Sequence, residues 1–505
     1  MTGLKRVLIL VGCSLVAGAL AMTPAVGDPI SDLQAKVGLP IPSLPTDLLV
    51  PTFIGGPAQA QPIARPAVPQ NPWVAANGRS SMHNDPYSSD AYDVVGPLGR
   101  ALKVTSRSYG VRECATVTFD QRGRLVALCG GLEGFTMMLI DPVTLAPLAE
   151  LAMPSRDFST PSNPFTDLCG GSYFFLTQDD RAIALTTTNE VWEVSTTSAP
   201  ALVKTHSWPL AAHVADGDCL VALTADWSGR VWFFTKQGTI GTLDRQTGAV
   251  KTHQLPAGET IVNSVSADET GGVYAVSTHA MYRFDATASG APSVTWRETY
   301  DRGTRTKPGQ LSQGSGTSPT LIGKRWIAIT DNADPKMNVL VYDRRKGVSS
   351  RLHCSVPVFG AGTGNTENSL TDVGNAVLAE NNYGYEGVQS TLLGKTTTPG
   401  FARVNIGSSG CRLAWTNTTV AAPTSVPKAS LGNGLVYAYT KPARPDGIDA
   451  WYFTAIDVRT GKVAWSRLTG TGIQWNNHYA SIYLGPDGTA YVATVAGLVR
   501  VADGG

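Results

Sequence analysis

The chain has 505 residues with 40 Lys and Arg against 39 Asp and Glu, so no global field draws it to nucleic acid or to an anionic membrane. Its 53 glycines and 32 prolines suit short strands and tight turns and argue against a protein of long helices. The length fits two or three average domains, or one repeat array, and the pattern below favours the array.

Lys5 and Arg6 precede the apolar run Val7 to Leu20 and small residues ending at Ala21 or Ala25, the layout of a secretory signal. The apolar run is shorter than the roughly 20 residues a membrane span needs. Residues 1–25 are therefore expected to be a cleaved signal peptide, with no integral membrane segment after its removal. The alternatives are an uncleaved anchor and a lipid-modified Cys13 in the stretch Leu10-Val11-Gly12-Cys13. Residues 26–96 read as an N-terminal arm rich in Pro, Ala and Gly, either a stiff spacer or a strap on the domain surface. Its end, Ser80-Ser81-Met82-His83-Asn84-Asp85-Pro86-Tyr87-Ser88-Ser89-Asp90, is polar. We expect it to pack over one face of the following domain with His83 and Asp85 available to a site there, or to be a surface loop.

From residue 97 to 505 the pattern is all-β. Eight tight turns, at 120–123, 178–180, 226–229, 268–272, 323–324, 372–374, 432–434 and 485–488, each separate two short apolar runs. One such pair is Tyr173-Phe174-Phe175-Leu176 and Ala182-Ile183-Ala184-Leu185. The mean spacing of about 50 residues is that of a four-stranded propeller blade. The expected fold is all-β, a single closed β-propeller of eight four-stranded blades, with seven as the competing count and an extended N-terminal arm. The last unit has only three strands, and Arg100-Ala101-Leu102-Lys103-Val104-Thr105-Ser106 is a natural fourth that closes the ring and leaves no open sheet edge.

Six cysteines follow the signal, an even number that in an exported chain favours disulfides. Around a turn at 120–123 the strand register sets Cys114 opposite Cys129. Cys169 with Cys219 and Cys354 with Cys411 are the remaining expected pairs among the fifteen pairings that six cysteines allow. No Cys-x-x-Cys is present, which argues against a zinc ribbon, a thioredoxin-like centre or an attached c-type haem.

The stretch Ala455-Ile456-Asp457-Val458-Arg459-Thr460-Gly461-Lys462-Val463-Ala464-Trp465 reads as a hairpin, with degenerate copies at Leu139, Leu243, Arg283 and Val341. The pattern Ala-x-Asp-x-x-Thr-Gly-x-x-x-Trp resembles the repeat of quinoprotein-like propellers, a group that includes PQQ-dependent alcohol dehydrogenases and cofactor-free outer-membrane assembly scaffolds. The resemblance covers 97–503 as architecture. The chain lacks the adjacent Cys-Cys pair that packs on PQQ in the dehydrogenases and lacks a haem motif, so PQQ is not the expected cofactor.

In a blade whose strands A to D run outward, the D-to-A and B-to-C connections emerge on one face. The stretches Asp331-Asn332-Ala333-Asp334, Asn365-Thr366-Glu367-Asn368-Ser369, Glu380-Asn381-Asn382-Tyr383-Gly384-Tyr385 and Trp475-Asn476-Asn477-His478-Tyr479 all fall on such connections. Asp331, Glu367 and Asn381 offer hard oxygen ligands for Ca²⁺. Asn368, Asn381, Asn382, Tyr383, Tyr385, Trp475 and Asn477 are candidates for contacting a polar ligand, the aromatic ones by stacking or, equally, by wedging between blades. His478, Glu380 and Glu367 are the candidate acid–base groups of an enzyme. The competing reading is that Asp and Asn here serve turn backbone. No phosphate loop, Gly-x-Ser-x-Gly elbow or His-Glu-x-x-His pair occurs. The expected function is binding of a polar ligand, envelope polysaccharide or envelope protein through this face by a secreted monomer. The alternatives are a Ca²⁺-dependent hydrolase or lyase and, behind it, a PQQ-dependent dehydrogenase.

Overall fold

The computed structural model describes residues 38–131, 134–155, 169, 173–197 and 201–504. The signal peptide, Cys13 and the arm before Gly38 lie outside them. The described residues form eight antiparallel sheets arranged as the blades of a ring. All eight turns read from the sequence join the first two strands of a blade, as at 120–123 between Arg112–Phe119 and Leu125–Gly131. Closure is as expected. Lys103–Ser108 pairs antiparallel with Gly497–Ala502 as the outer strand of blade 8, and the Asp503 carboxylate accepts the amides of Leu98, Gly99 and Arg100.

Inner strands are packed on both faces by neighbouring blades and so read as unbroken apolar runs, as in the fully buried Val231–Thr235. Outer strands such as Pro147–Ser155 alternate, because one face meets solvent. The third-to-fourth turns carry the repeated motif for a local reason. Asp457 Oδ1 accepts the amides of Arg459 and Thr460 and the Thr460 hydroxyl, and Gly461 supplies a φ of 70°. Asp141 and Asp244 cap their own turns in the same way. All three expected disulfides are present. Cys354–Cys411 ties the outer strands of blades 5 and 6.

The arm is a strap that crosses the first-turn face of the ring in descending blade order. Gln61 and Ile63 bond blade 7, Arg65 meets Asp372 of blade 6 and Pro66 touches Gly323 of blade 5. Val68 packs on the Tyr274 cluster of blade 4. Asn71 bonds blade 3, Ala75 blade 2 and Arg79 blade 1. Phe53–Gly55 adds an outer strand to blade 7 and Ala91–Tyr92 an inner, parallel one.

Between these, residues 80–92 do not lie over a face, as the sequence suggested, but enter the central channel. The carbonyls of Ser80, Pro86, Tyr87, Ser89, Asp90 and Tyr92 accept amides from the innermost strands of blades 2, 4, 5, 6 and 7. Left-handed backbone at Asn84, Ser88 and Asp90 (φ 61°, 51° and 54°) coils the segment tightly enough to do this. Asp85 caps the coil by accepting the amides of Tyr87 and Ser89. On the axis, Asp90 meets Lys428, Ser369 and His83, with both ionic side chains 0% exposed. Burial alone would raise the Asp90 carboxyl, but Lys428 and His83 hold it below the ordinary range.

Replacing Asp90 by Ala leaves the Lys428 ammonium buried without its counter-charge. We expect a loss of roughly 3–5 kcal/mol, seen as a lower denaturation midpoint in urea. A loss below about 1 kcal/mol would show that this pair does not secure the plug.

Candidate functional site

With the first-turn face strapped and the axis filled, the candidate site is the channel mouth on the second face. It is built from the strand-A approaches of blades 1, 6 and 8, the second-to-third loop of blade 6, and the long blade 4-to-5 connection between Pro292–Thr299 and Thr320–Ile322. This last connection reaches across the mouth. Tyr479 donates to Gly309 O at 3.2 Å, and Gly384 donates to Pro308 O. Gly316 sits against Glu367 so closely that a Cβ would come within 2.5 Å of its carboxyl.

His478 lies at the centre. Its backbone amide donates to Glu113 Oε1 at 2.8 Å, and its Nδ1 is 3.0 Å from the Tyr385 hydroxyl. Its ring packs edge-on to Tyr479 at 5.0 Å, and Tyr479 packs edge-on to Tyr385 at 5.6 Å. Tyr479 holds a φ of 60°, a left-handed conformation costing on the order of 1–2 kcal/mol for such a side chain. That cost is borne where the chain presents an aromatic pair to the mouth.

The carboxyls here are kept neutral by burial. Glu113 and Glu367 are each pushed up to about 8, and Glu380 well above the ordinary carboxylate range. Glu380 Oε1 accepts from the amides of Asn368 and Asn382 at 2.9 and 2.7 Å. Among the described residues its Oε2 and Asn368 Oδ1 are buried acceptors with no hydrogen-bond partner, whereas the Leu311 amide pulls the Glu367 carboxyl down against burial. Tyr173 stands between mouth and plug, raised by burial first and then by the Glu367 and Asp90 carboxyls.

The candidates divide. His478, Tyr385 and Glu367 gather at the mouth, with Glu380, Asn368 and Asn382 in one bonded group beside them and Tyr383 half-buried at its edge. Asn477 is instead spent on Ala480 O and Ala493 O. Trp475, 2% exposed, donates to Pro42 O and belongs to the core between blades 7 and 8, the wedge of the two readings. Asp331 accepts the amides of Ala333 and Asn338 and is pushed up to about 6 by burial. Asn381 accepts those of Asn365 and Tyr383. Asp331 thus serves its own loop, whereas Asn381 ties its loop to the strand-A approach of blade 6. Among the described residues no group of three or more His, Cys, Asp or Glu side chains is placed to hold a metal ion. The sequence placed Tyr479 in the same stretch as His478 without naming it as a ligand contact, and it did not single out Glu113, which lies inside the strand Arg112–Phe119.

No family model matches this chain. A protein of Archaeoglobus fulgidus, described only as uncharacterised, is 26% identical over 323 residues, which are 57% of this chain and 62% of that protein. The chain thus spans less than two thirds of that relative's length. Among solved structures, a catalytically inactive virginiamycin B lyase from Staphylococcus aureus with quinupristin is 10% identical over 79% of this chain and 99% of its own, with a TM-score of 0.39. A streptogramin B lyase is similar over 79% and 97% at 10% identity and a TM-score of 0.36. A chain of the mitotic checkpoint complex is similar over 65% and 87% at 10% identity and 0.38. At this identity the likeness is one of fold and carries nothing about chemistry. The three disulfides are consistent with an extracellular protein, and among the described residues no helix is long and apolar enough to cross a membrane.

The raised carboxyls make stability fall with pH. Below about pH 4.5 both states hold the protons; between about 4.5 and 8 the unfolded chain releases protons that folded Glu113 and Glu367 keep. The melting temperature should therefore drop across this window, each carboxyl contributing on the order of a few kcal/mol. Glu367→Gln should flatten the drop; an unchanged profile in that variant would mean Glu367 is ionised in the fold.

Proposed function

We propose that the chain is an exported, monomeric propeller that binds a polar, hydroxyl-rich ligand, of the kind an envelope polysaccharide offers, at the mouth around His478 and Tyr479. The observation that carries this reading is the pairing of the half-buried His478 and Tyr479 rings with carboxyls that burial raises, beside a channel filled from the first-turn face. Rings stack on the apolar faces of sugars, and neutral carboxyls both donate and accept hydrogen bonds without demanding a charged partner. Residues 80–92 take up the axis on which a planar quinone would lie, which weighs against PQQ and leaves the quinoprotein resemblance one of architecture.

A second reading, acid–base catalysis at the same mouth, is favoured by a single feature. A carboxyl pushed up to about 8 at Glu367 is poised to exchange a proton near neutral pH. The unpartnered Glu380 Oε2 and Asn368 Oδ1 are the kind of oxygens Ca²⁺ would take, so calcium belongs to this reading.

Fluorescence titration with soluble muropeptides and with dextran tests the proposal. We expect saturable binding to one of them, weakened about tenfold or more, or about 1.4 kcal/mol, by Tyr479→Ala. No binding to either, or binding indifferent to Tyr479→Ala and His478→Ala, would sink the binding reading at this mouth. Release of products that stops in Glu367→Gln would favour the enzyme.

A further inference from the structure

The end of the axis opposite the mouth holds a separate space. A cavity of about 180 Å³ lies under the plug, enclosed by the strap, the plug and the first turn of blade 8, with Arg65, Arg79, Asn84, Asp85, Tyr92 and Gly485 among its walls. Asp93, whose side chain is 81% exposed, stands where it meets solvent.

Its two guanidinium groups differ in how they are satisfied. Arg65 is occupied, 3.3 Å from Asp372, 3.7 Å from Asp93 and 4.0 Å from Asp85. Arg79 donates from Nη1 to Phe119 O at 3.3 Å and forms no ion pair among the described residues. The carboxyl that Arg79 acts on is Asp180, which burial raises against the pull of the Gln121 amide, Arg79 and Arg124. Burial pushes the Asp85 carboxyl up against the pull of Arg65, and burial pushes Asp372 up to about 7. A cationic fork with no direct ion pair among the described residues thus lines a partly enclosed space, the arrangement that favours bidentate contact with an oxyanion.

We propose that this cavity binds a small oxyanion, with Arg79 as its counter-charge. A void of about 150 Å³ takes a benzene-sized molecule, so the occupant has roughly six to eight non-hydrogen atoms at most. Inorganic phosphate and short carboxylates fit, whereas nucleotides and sugar chains do not. Bound there, the anion joins strap, plug and blade 8, so it binds only the assembled ring and raises its melting temperature. The site stands apart from the mouth and does not rest on the function proposed for it.

Calorimetric titration and thermal melting of the full exported protein test this, with sodium phosphate and sodium lactate as probes and sodium chloride at matched ionic strength as control. We expect saturable binding of phosphate or lactate, the stronger of the two identifying the source, and a loss of tenfold or more in Arg79→Ala. Where Arg79→Ala does not fold, judged by its unliganded melting, Arg79→Gln, which keeps most of the stem and removes the charge, gives the same reading. Absence of saturable binding by both probes overturns the proposal, as does equal affinity in a folded Arg79 variant.

Discussion

The innermost strands of a propeller present their edge amides to the axis, and an amide that meets neither water nor a partner there costs on the order of 1–3 kcal/mol. Here the chain supplies the partners itself. Six carbonyls between Ser80 and Tyr92 accept edge amides from five blades, and the Asp90–Lys428 pair anchors the coil that presents them. Much else follows from this one segment. The strap has to cross the first-turn face in order to deliver residues 80–92 to the axis. The chain then leaves through Gly96 and Leu98 directly into the strand that closes the ring. The plug, the closure and the covered face are one continuous piece of covalent design.

The axis is filled from the first-turn face, and the candidate groups gather at its other end. Among the described residues no ion pair reaches the carboxyls that surround it, and burial raises them, unlike the turn carboxylates such as Asp141, which local amides hold below the ordinary range. The blade 4-to-5 connection reaches the far side and fixes Tyr479 through Gly309 O. A strained tyrosine and a bonded histidine are thus held by loops that packing makes rigid, a condition for recognition at low entropic cost.

What the sequence disclosed was the local physics. Turn chemistry marked all eight inner hairpins, because Asp and Gly at those positions satisfy backbone within four residues, as Asp120 does for Arg122 and Arg124. Register alone paired Cys114 with Cys129. The same local reading explains Asp331, which serves its own loop. The course of residues 80–92 was not legible, since its partners are 279 to 346 positions away at Ser369 and Lys428 and nothing in a run of Ser, Asn and Asp distinguishes a buried coil from a loop. Glu113 was hidden for a related reason. It sits inside a strand, and only the arrival of His478 from the opposite end of the chain makes it part of a site.

Hydrogen exchange resolved to peptides covering 80–92 tests the central claim most directly. If this segment fills the axis, its amides, together with those of Leu176, Ala267, Leu321, Asp372, Ala429 and Leu431 that it accepts, exchange as slowly as the middle strands of the blades. Exchange of 80–92 within seconds would mean an open channel and would contradict the account.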